Sequence, residues 1–239
     1  MKPLSHYVRN IFHPKKDPEE MWIVYMSTYP PRACGIATFT ADLVNYFDQQ
    51  FVPAEETKVV AMNIGSSANG QDSGGLPPPR YTYPEKVMWQ IDQNNSDDYV
   101  RVARELNALP QVKIISIQHE FGIFGENDGE RVLLFLQEIK KPVVVTLHTV
   151  LPNPSENMKR IMAGITARAD RMIVMTQTSK GLLETVYATP TEKIKIIPHG
   201  IHPRPYSDSE TFKAKFAEYG FEGRRIISTF GLLGRGKGI

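Results

Sequence analysis

The sequence predicts an α/β protein built on a doubly wound parallel sheet, and three observations predict it. Short runs of strand-forming residues read apolar throughout, segments with apolar residues at intervals of three and four alternate with them, and polar residues cluster just after the runs. Strands apolar on both sides belong to a sheet that helices cover on both faces. Right-handed crossovers then wind such a sheet into a doubly wound domain.

The elements follow in order. Residues 1–20 form a polar lead carrying Lys15, Lys16, Asp17, Glu19 and Glu20, with no apolar run long enough for a secretory signal. Trp22-Ile23-Val24-Tyr25-Met26 reads as a buried strand, and Ser27, Thr28, Pro30, Pro31 and Gly35 as the loop that ends it. Ile36, Phe39, Leu43, Val44 and Phe47 then line one face of a helix over 36–47. Further strands are expected at 58–63, 112–118, 141–147, 171–176 and 193–197, with Pro142 at a strand entrance, where a missing donor is tolerated. Helical patterns lie at 97–108, 128–140, 155–169 and 178–188, the third opening on Ser155 with Pro154 and Glu156 beside it. Segment 65–84 breaks the rhythm with Ser66, Ser67, Gly70, Gly74, Gly75 and Pro77-Pro78-Pro79. A loop of that length reads as a mobile surface segment or as a lid facing a substrate.

Beyond residue 200, Pro203 and Pro205 mark a linker, 210–219 reads helical, and 225–230 reads as a strand running into Gly231-Leu232-Leu233-Gly234-Arg235-Gly236-Lys237-Gly238-Ile239. A glycine-rich turn after a strand should open a helix, so the chain reads as the amino-terminal part of a longer protein. The organisation expected is a polar lead at 1–20, a Rossmann-like domain at 21–200, and a linker with the start of a second domain at 201–239.

Composition narrows the function. Of 239 residues, 41% are hydrophobic and 23% charged, which excludes a disordered or fibrous chain. The formal net charge of +2 does not nominate nucleic acid as a partner. The single cysteine, Cys34, allows no internal disulfide and no cysteine-rich zinc site, which fits the reducing cytoplasm. No stretch approaches the roughly 18 uninterrupted apolar residues of a membrane span.

Ligands of an open α/β sheet bind at the carboxyl ends of its strands. There the sequence places Ser27 to Gly35, Gln118-His119-Glu120-Phe121-Gly122, His148-Thr149, Thr176-Gln177-Thr178 and Pro198-His199-Gly200. Three of the six histidines fall on this one predicted rim. An imidazole can donate to or accept from a sugar hydroxyl, donate to a phosphate, or bind a metal. It can equally be a hydrogen-bonded structural residue. His119-Glu120 is no metalloprotease motif, because Gly122 and Ile123 follow and the second histidine needed one helical turn later is absent. The first turn, Cys34-Gly35-Ile36-Ala37-Thr38, lacks the G-x-G-x-x-G spacing of a dinucleotide site. Cys34 reads as a small packing residue, a nucleophile there requiring a nearby base. Gly35 reads either as a tight-turn residue or as the point where a phosphate or sugar hydroxyl approaches a helix start.

Five segments together resemble a retaining glycosyltransferase of family 4, of the GT-B fold: STYPPRACGIATFT from Ser27, IQHEFGIFG from Ile117, VVVTLHT from Val143, IPHGI from Ile197 and FGLLGRGKG from Phe230. The resemblance implies a two-domain transferase whose amino-terminal Rossmann-like domain holds a carbohydrate or other hydroxyl acceptor and whose second domain holds a nucleotide sugar. It implies donor-phosphate contacts at Gly35 and Lys237, with Arg235 as substitute for the family's arginine, which Leu232 replaces. It implies a catalytic His148 beside the transferred sugar. His119, Glu120 and His199 are the rim residues left for the acceptor or sugar, and His199 stands where the family usually has asparagine. With no D-x-D carboxylate pair in the sequence, the chemistry expected needs no metal and no cofactor beyond the nucleotide-sugar co-substrate. Two other classes fit the same residues: a carbohydrate-binding or interaction module without catalysis, and another GT-B-like enzyme such as a sugar-nucleotide epimerase or a phosphorylase.

Overall fold

The computed structural model describes residues 21–51, 55–64, 81–201 and 208–229. It divides into two compact units, residues 1–198 and 199–239, each described by itself.

The first strand, β1 (Met21–Ser27), alternates its side chains between two cores. Val24 and Met26 join the large cluster on one face of the sheet, and Tyr25 joins a smaller one on the other. β2 (Glu55–Asn63) repeats the division, with Val60 and Met62 on the first face and Val59 and Ala61 on the second. This two-sided burial is why both strands read apolar without a period. Helix α1 (Gly35–Phe51) covers the second face through Val44, and Asp48 on the same helix accepts from the backbone N and hydroxyl of Thr57 in β2.

The next strand, β3 (Val87–Asp92), was not expected from the sequence. It pairs with β2 alone, and only Trp89 and Ile91 of its six residues are buried. Met88 and Gln90 face solvent, so this edge strand lacks the continuous apolar run that marks the others. Then come α2 (Ser96–Ala108), β4 (Val112–His119), α3 (Val132–Glu138), β5 (Val143–Leu147), α4 (Glu156–Arg168), β6 (Arg171–Val174), α5 (Gln177–Thr185) and β7 (Ile194–Ile196). Ser155 caps α4 by accepting from the Met158 amide at 3.1 Å, the start its sequence signalled.

The helix expected at 128–140 begins later. A 3₁₀ turn at Phe121–Ile123 and a left-handed stretch precede it, with φ of +91° at Gly125, 53° at Asn127, 60° at Asp128 and +77° at Gly129. A Cβ at Gly125 would stand 2.3 Å from the Gln93 carbonyl oxygen, and one at Gly129 would stand 2.2 Å from that of Phe121. Only glycine fits either place.

All seven strands are parallel, in the order β3-β2-β1-β4-β5-β6-β7. This is the doubly wound, Rossmann-like sheet predicted, and its winding reverses between β1 and β4. Among the described residues no helix is long and apolar enough to cross a membrane.

In the second unit, Asp208 caps α6 (Ser209–Ala214) by accepting from the amides of Glu210 and Thr211. The strand expected at 225–230 is corrected as far as it is described: residues 224–229 pair with no neighbour there, and Ile227 is fully exposed. An apolar run becomes a strand only through a ladder partner.

Candidate functional site

The reversal between β1 and β4 opens a crevice at their carboxyl ends, the place where such sheets bind ligands. Its first wall is the loop from β1 to α1. Thr40 donates its hydroxyl to the Ile36 carbonyl at 2.8 Å and stands 2.7 Å from the hydroxyl of Ser27, which pins the first turns of α1 to the end of β1. Arg32 donates to the Met62 carbonyl at 2.9 Å and lies 3.4 Å from the Gln93 side chain, tying this loop to the ends of β2 and β3. Cys34 is half-buried and accepts a hydrogen bond from the Thr28 hydroxyl at 3.6 Å, a contact of the packing kind.

Gly35 is exposed and opens α1, whose first turn carries no acidic residue. A Cβ there would meet nothing within 4 Å, and its φ lies outside the left-handed region. Neither packing nor backbone conformation requires glycine at this position. What its missing side chain leaves is an uncovered helix start, where amides and the helix dipole favour a negatively charged group.

The second wall comes from β4 and β5. The extra strand β3 makes His148 follow the fifth strand in chain order rather than the fourth. Its ring Nε2 stands 3.0 Å from Gln118 Oε1, and Phe39, one turn along α1 from Gly35, packs edge-on against the ring at 4.9 Å between centroids and 87°. The fold therefore brings His148 together with the helix that Gly35 opens.

His119 is placed differently from a rim residue. It is wholly buried, stacked on Phe124 at 5.6 Å and 13° and met edge-on by Phe121 at 5.1 Å. Neither ring nitrogen has a hydrogen-bond partner among the described residues. Burial first, and the neighbouring His148 second, push its pKa down to about 3, so the ring is neutral near pH 7. Glu120 has both carboxylate oxygens engaged, one by the Phe121 amide at 3.2 Å and the other by the Thr149 hydroxyl. Both residues are built into the wall rather than held out from it.

Of the three histidines expected on the rim, His148 stands half-buried and His119 is sealed in the core. His199 falls in the second unit, exposed, with Nδ1 2.7 Å from the Gly200 carbonyl oxygen. Arg235 and Lys237 lie outside the described residues, as does the loop over 65–80. Among the described residues no group of three or more His, Cys, Asp or Glu side chains is placed to hold a metal ion.

Sequence reasoning gave no role to Gln118, Phe39, Arg32 or Thr40. Gln118 carried a usable signal, an amide directly after the apolar Ile117 near the end of a strand, because a buried polar side chain requires a partner. Phe39 was legible only as one residue of an apolar helix face.

Comparison with known proteins bears on these residues. Residues 34–204 match the model of Glycosyltransferase Family 4, a span that holds Gly35, His119, Glu120, His148 and His199. The fold is similar to the crystal structure of a glycosyltransferase from Rickettsia africae ESF-5, with a TM-score of 0.50 and 12% identity, over 84% of this chain and 50% of that one. The chain thus spans about half the length of that solved structure. No curated protein matches the sequence.

Proposed function

The chain belongs to glycosyltransferase family 4, and from that premise we propose that it forms the acceptor-side half of a GT-B enzyme that moves a sugar from a nucleotide donor to a hydroxyl acceptor with retention. The bond from the anomeric carbon to the diphosphate oxygen breaks, and one from the acceptor oxygen forms on the same face of the sugar. The acceptor's proton leaves with the diphosphate. The acceptor is a carbohydrate or another hydroxyl compound, no metal is needed, and the enzyme works in the cytoplasm.

One observation carries this reading: His148 and the open start of α1 share the crevice where the sheet reverses, joined through Phe39. As the bond breaks, positive charge develops on the sugar and negative charge on the diphosphate, and fixed dipoles aimed at both lower the barrier. The amides at Gly35 suit the diphosphate, and the imidazole of His148, half-buried and held by Gln118, suits the sugar. Arg235 and Lys237 supply further cations to the diphosphate, a compact ammonium and a fork of donors both being suited to phosphate oxygens. His119 and Glu120 contribute by shaping the wall, and the acceptor or sugar role of His199 is carried by its place in the sequence motif alone.

The proposal includes that these 239 residues alone do not turn over, because the donor site needs the second domain. The test is transfer from a panel of nucleotide sugars by the intact enzyme, with the product's anomeric configuration read by NMR, set beside the 239-residue chain. Product of inverted configuration refutes retention. Turnover by the short chain refutes the shared donor site.

A further inference from the structure

Three consecutive residues at the end of β4 each hold one group of the two residues that follow β5. The Gln118 side chain meets the His148 ring at 3.0 Å, the His119 carbonyl accepts from the His148 amide at 3.0 Å, and the Glu120 carboxylate accepts from the Thr149 hydroxyl. The backbone bond continues the ladder between the two strands, in which Gln118 stands opposite Thr146 and His119 opposite Leu147. The two side-chain bonds do not belong to the ladder and are specific to these residue types.

We propose that Gln118 is a positioning residue that fixes the tautomer and ring direction of His148, an inference that rests on the role proposed for His148 only for its bearing on catalysis. Gln118 is fully buried between Ile117 and His119, both themselves fully buried. A buried amide without partners is costly, so its two ends must be matched to what surrounds them. Its Nε2 lies 3.5 Å from the Ser116 hydroxyl, and its Oε1 is the atom that faces His148. An amide oxygen only accepts, so ring Nε2 of His148 carries the proton and Nδ1 carries the lone pair. Phe39, edge-on against the ring, opposes rotation away from this bond. An imidazole held in one tautomer presents a fixed pattern of donor and acceptor to whatever enters the crevice. In the other tautomer the same ring presents the reversed pattern, and the Gln118 amide would have to turn over and give up its present contact with Ser116 to keep the bond.

Long-range ¹H–¹⁵N NMR of the ¹⁵N-labelled chain near pH 7.5 reads the tautomer directly, with the His148 signals identified by their loss in His148→Ala. The reference is the same chain unfolded in urea. In the folded wild type the ratio of the Nε2–H to the Nδ1–H form should exceed the reference about tenfold, the preference that a hydrogen bond of about 1.4 kcal/mol confers. In Gln118→Leu, with folding checked by circular dichroism, the ratio should return to the reference. A wild-type ring mainly in the Nδ1–H form overturns the proposal, and so does a folded Gln118→Leu with the wild-type ratio. Should Gln118→Leu not fold, the wild-type measurement decides alone, since a ratio equal to the reference overturns the proposal. None of these readings depends on turnover, so failure of the proposed transferase activity stays distinguishable from failure of this inference.

Discussion

Replacing His119 by phenylalanine separates a buried structural histidine from a titrating functional one. The wild-type ring is enclosed by Phe121 and Phe124, with both nitrogens unpartnered among the described residues. A phenylalanine in the same slot keeps an aromatic surface against Phe124 and removes two buried polar atoms, each costing about 1–3 kcal/mol when unsatisfied. Its extra bulk costs a comparable amount, about 1–3 kcal/mol, so the absolute change in stability at one pH says little. The pH dependence isolates the imidazole. The folded-state pKa is pushed down to about 3 from the ordinary 6.5, so the unfolded chain binds a proton that the folded one refuses. Stability from this group is therefore full above about pH 6.5 and is lost progressively as pH falls toward about 3. At pH 5 the loss amounts to about 2 kcal/mol. Urea unfolding of wild type and His119→Phe at pH 7.5 and pH 5 measures it, because other titrating groups are common to both proteins and cancel in the difference. The wild type should lose about 2 kcal/mol more than the variant on acidification. An equal loss in the two proteins would refute the claim that this imidazole is held neutral by burial.

Three further outcomes are expected. His148→Ala should lower turnover of the intact enzyme about 10- to 1000-fold, the scale of losing one positioned polar group, while its melting temperature stays near wild type; normal turnover removes the residue from the mechanism. Gly35→Val places its side chain where nothing lies within 4 Å, so the fold should survive while affinity for the nucleoside diphosphate drops at least about tenfold if phosphate meets those amides; calorimetric titration decides, and normal binding by a folded variant excludes this helix start from the donor site. Gly129→Ala should cost more than the about 1–3 kcal/mol of a left-handed non-glycine residue, since the new Cβ would stand 2.2 Å from the Phe121 oxygen; an unchanged unfolding midpoint would contradict the geometry described for the loop after β4.

The sheet was legible because its central strands are buried on both faces, and that burial writes itself as unbroken apolar runs such as Trp22 to Met26. The edge strand β3 was not, since half its surface faces water and Gln90 interrupts its pattern. The late start of α3 was hidden for another reason. Residues 128–131 fit a helical period, but the turn is decided by Gly129 packing against Phe121 within the same loop and by Gly125 packing against Gln93, a contact with a segment far away in the chain. In the site, the sequence marked which residues come after strands and could not say which way they face. His119 and His148 look alike as strand-end histidines, yet one is sealed between aromatic rings and the other stands half-buried against Phe39.

That difference follows from the pleat and the loop, and it assigns the labour at the crevice. His119 is the last residue of β4, paired opposite Leu147, so its side chain goes where the buried face of the sheet sends it. His148 lies one residue past β5, where its amide still bonds the His119 carbonyl but no further strand residue follows, so the direction of its ring is set by side chains as well as by the ladder. Gln118, Phe39 and, through Thr149, Glu120 supply that direction from three sides. In the catalytic role proposed for His148, the ring has to be oriented before charge appears, since turning it during the reaction would add its reorganisation to the barrier. The stretch Gln118-His119-Glu120 is then best understood through what it does to its neighbour strand. Two of its side chains hold the loop that carries His148, and the third fills the core beneath it.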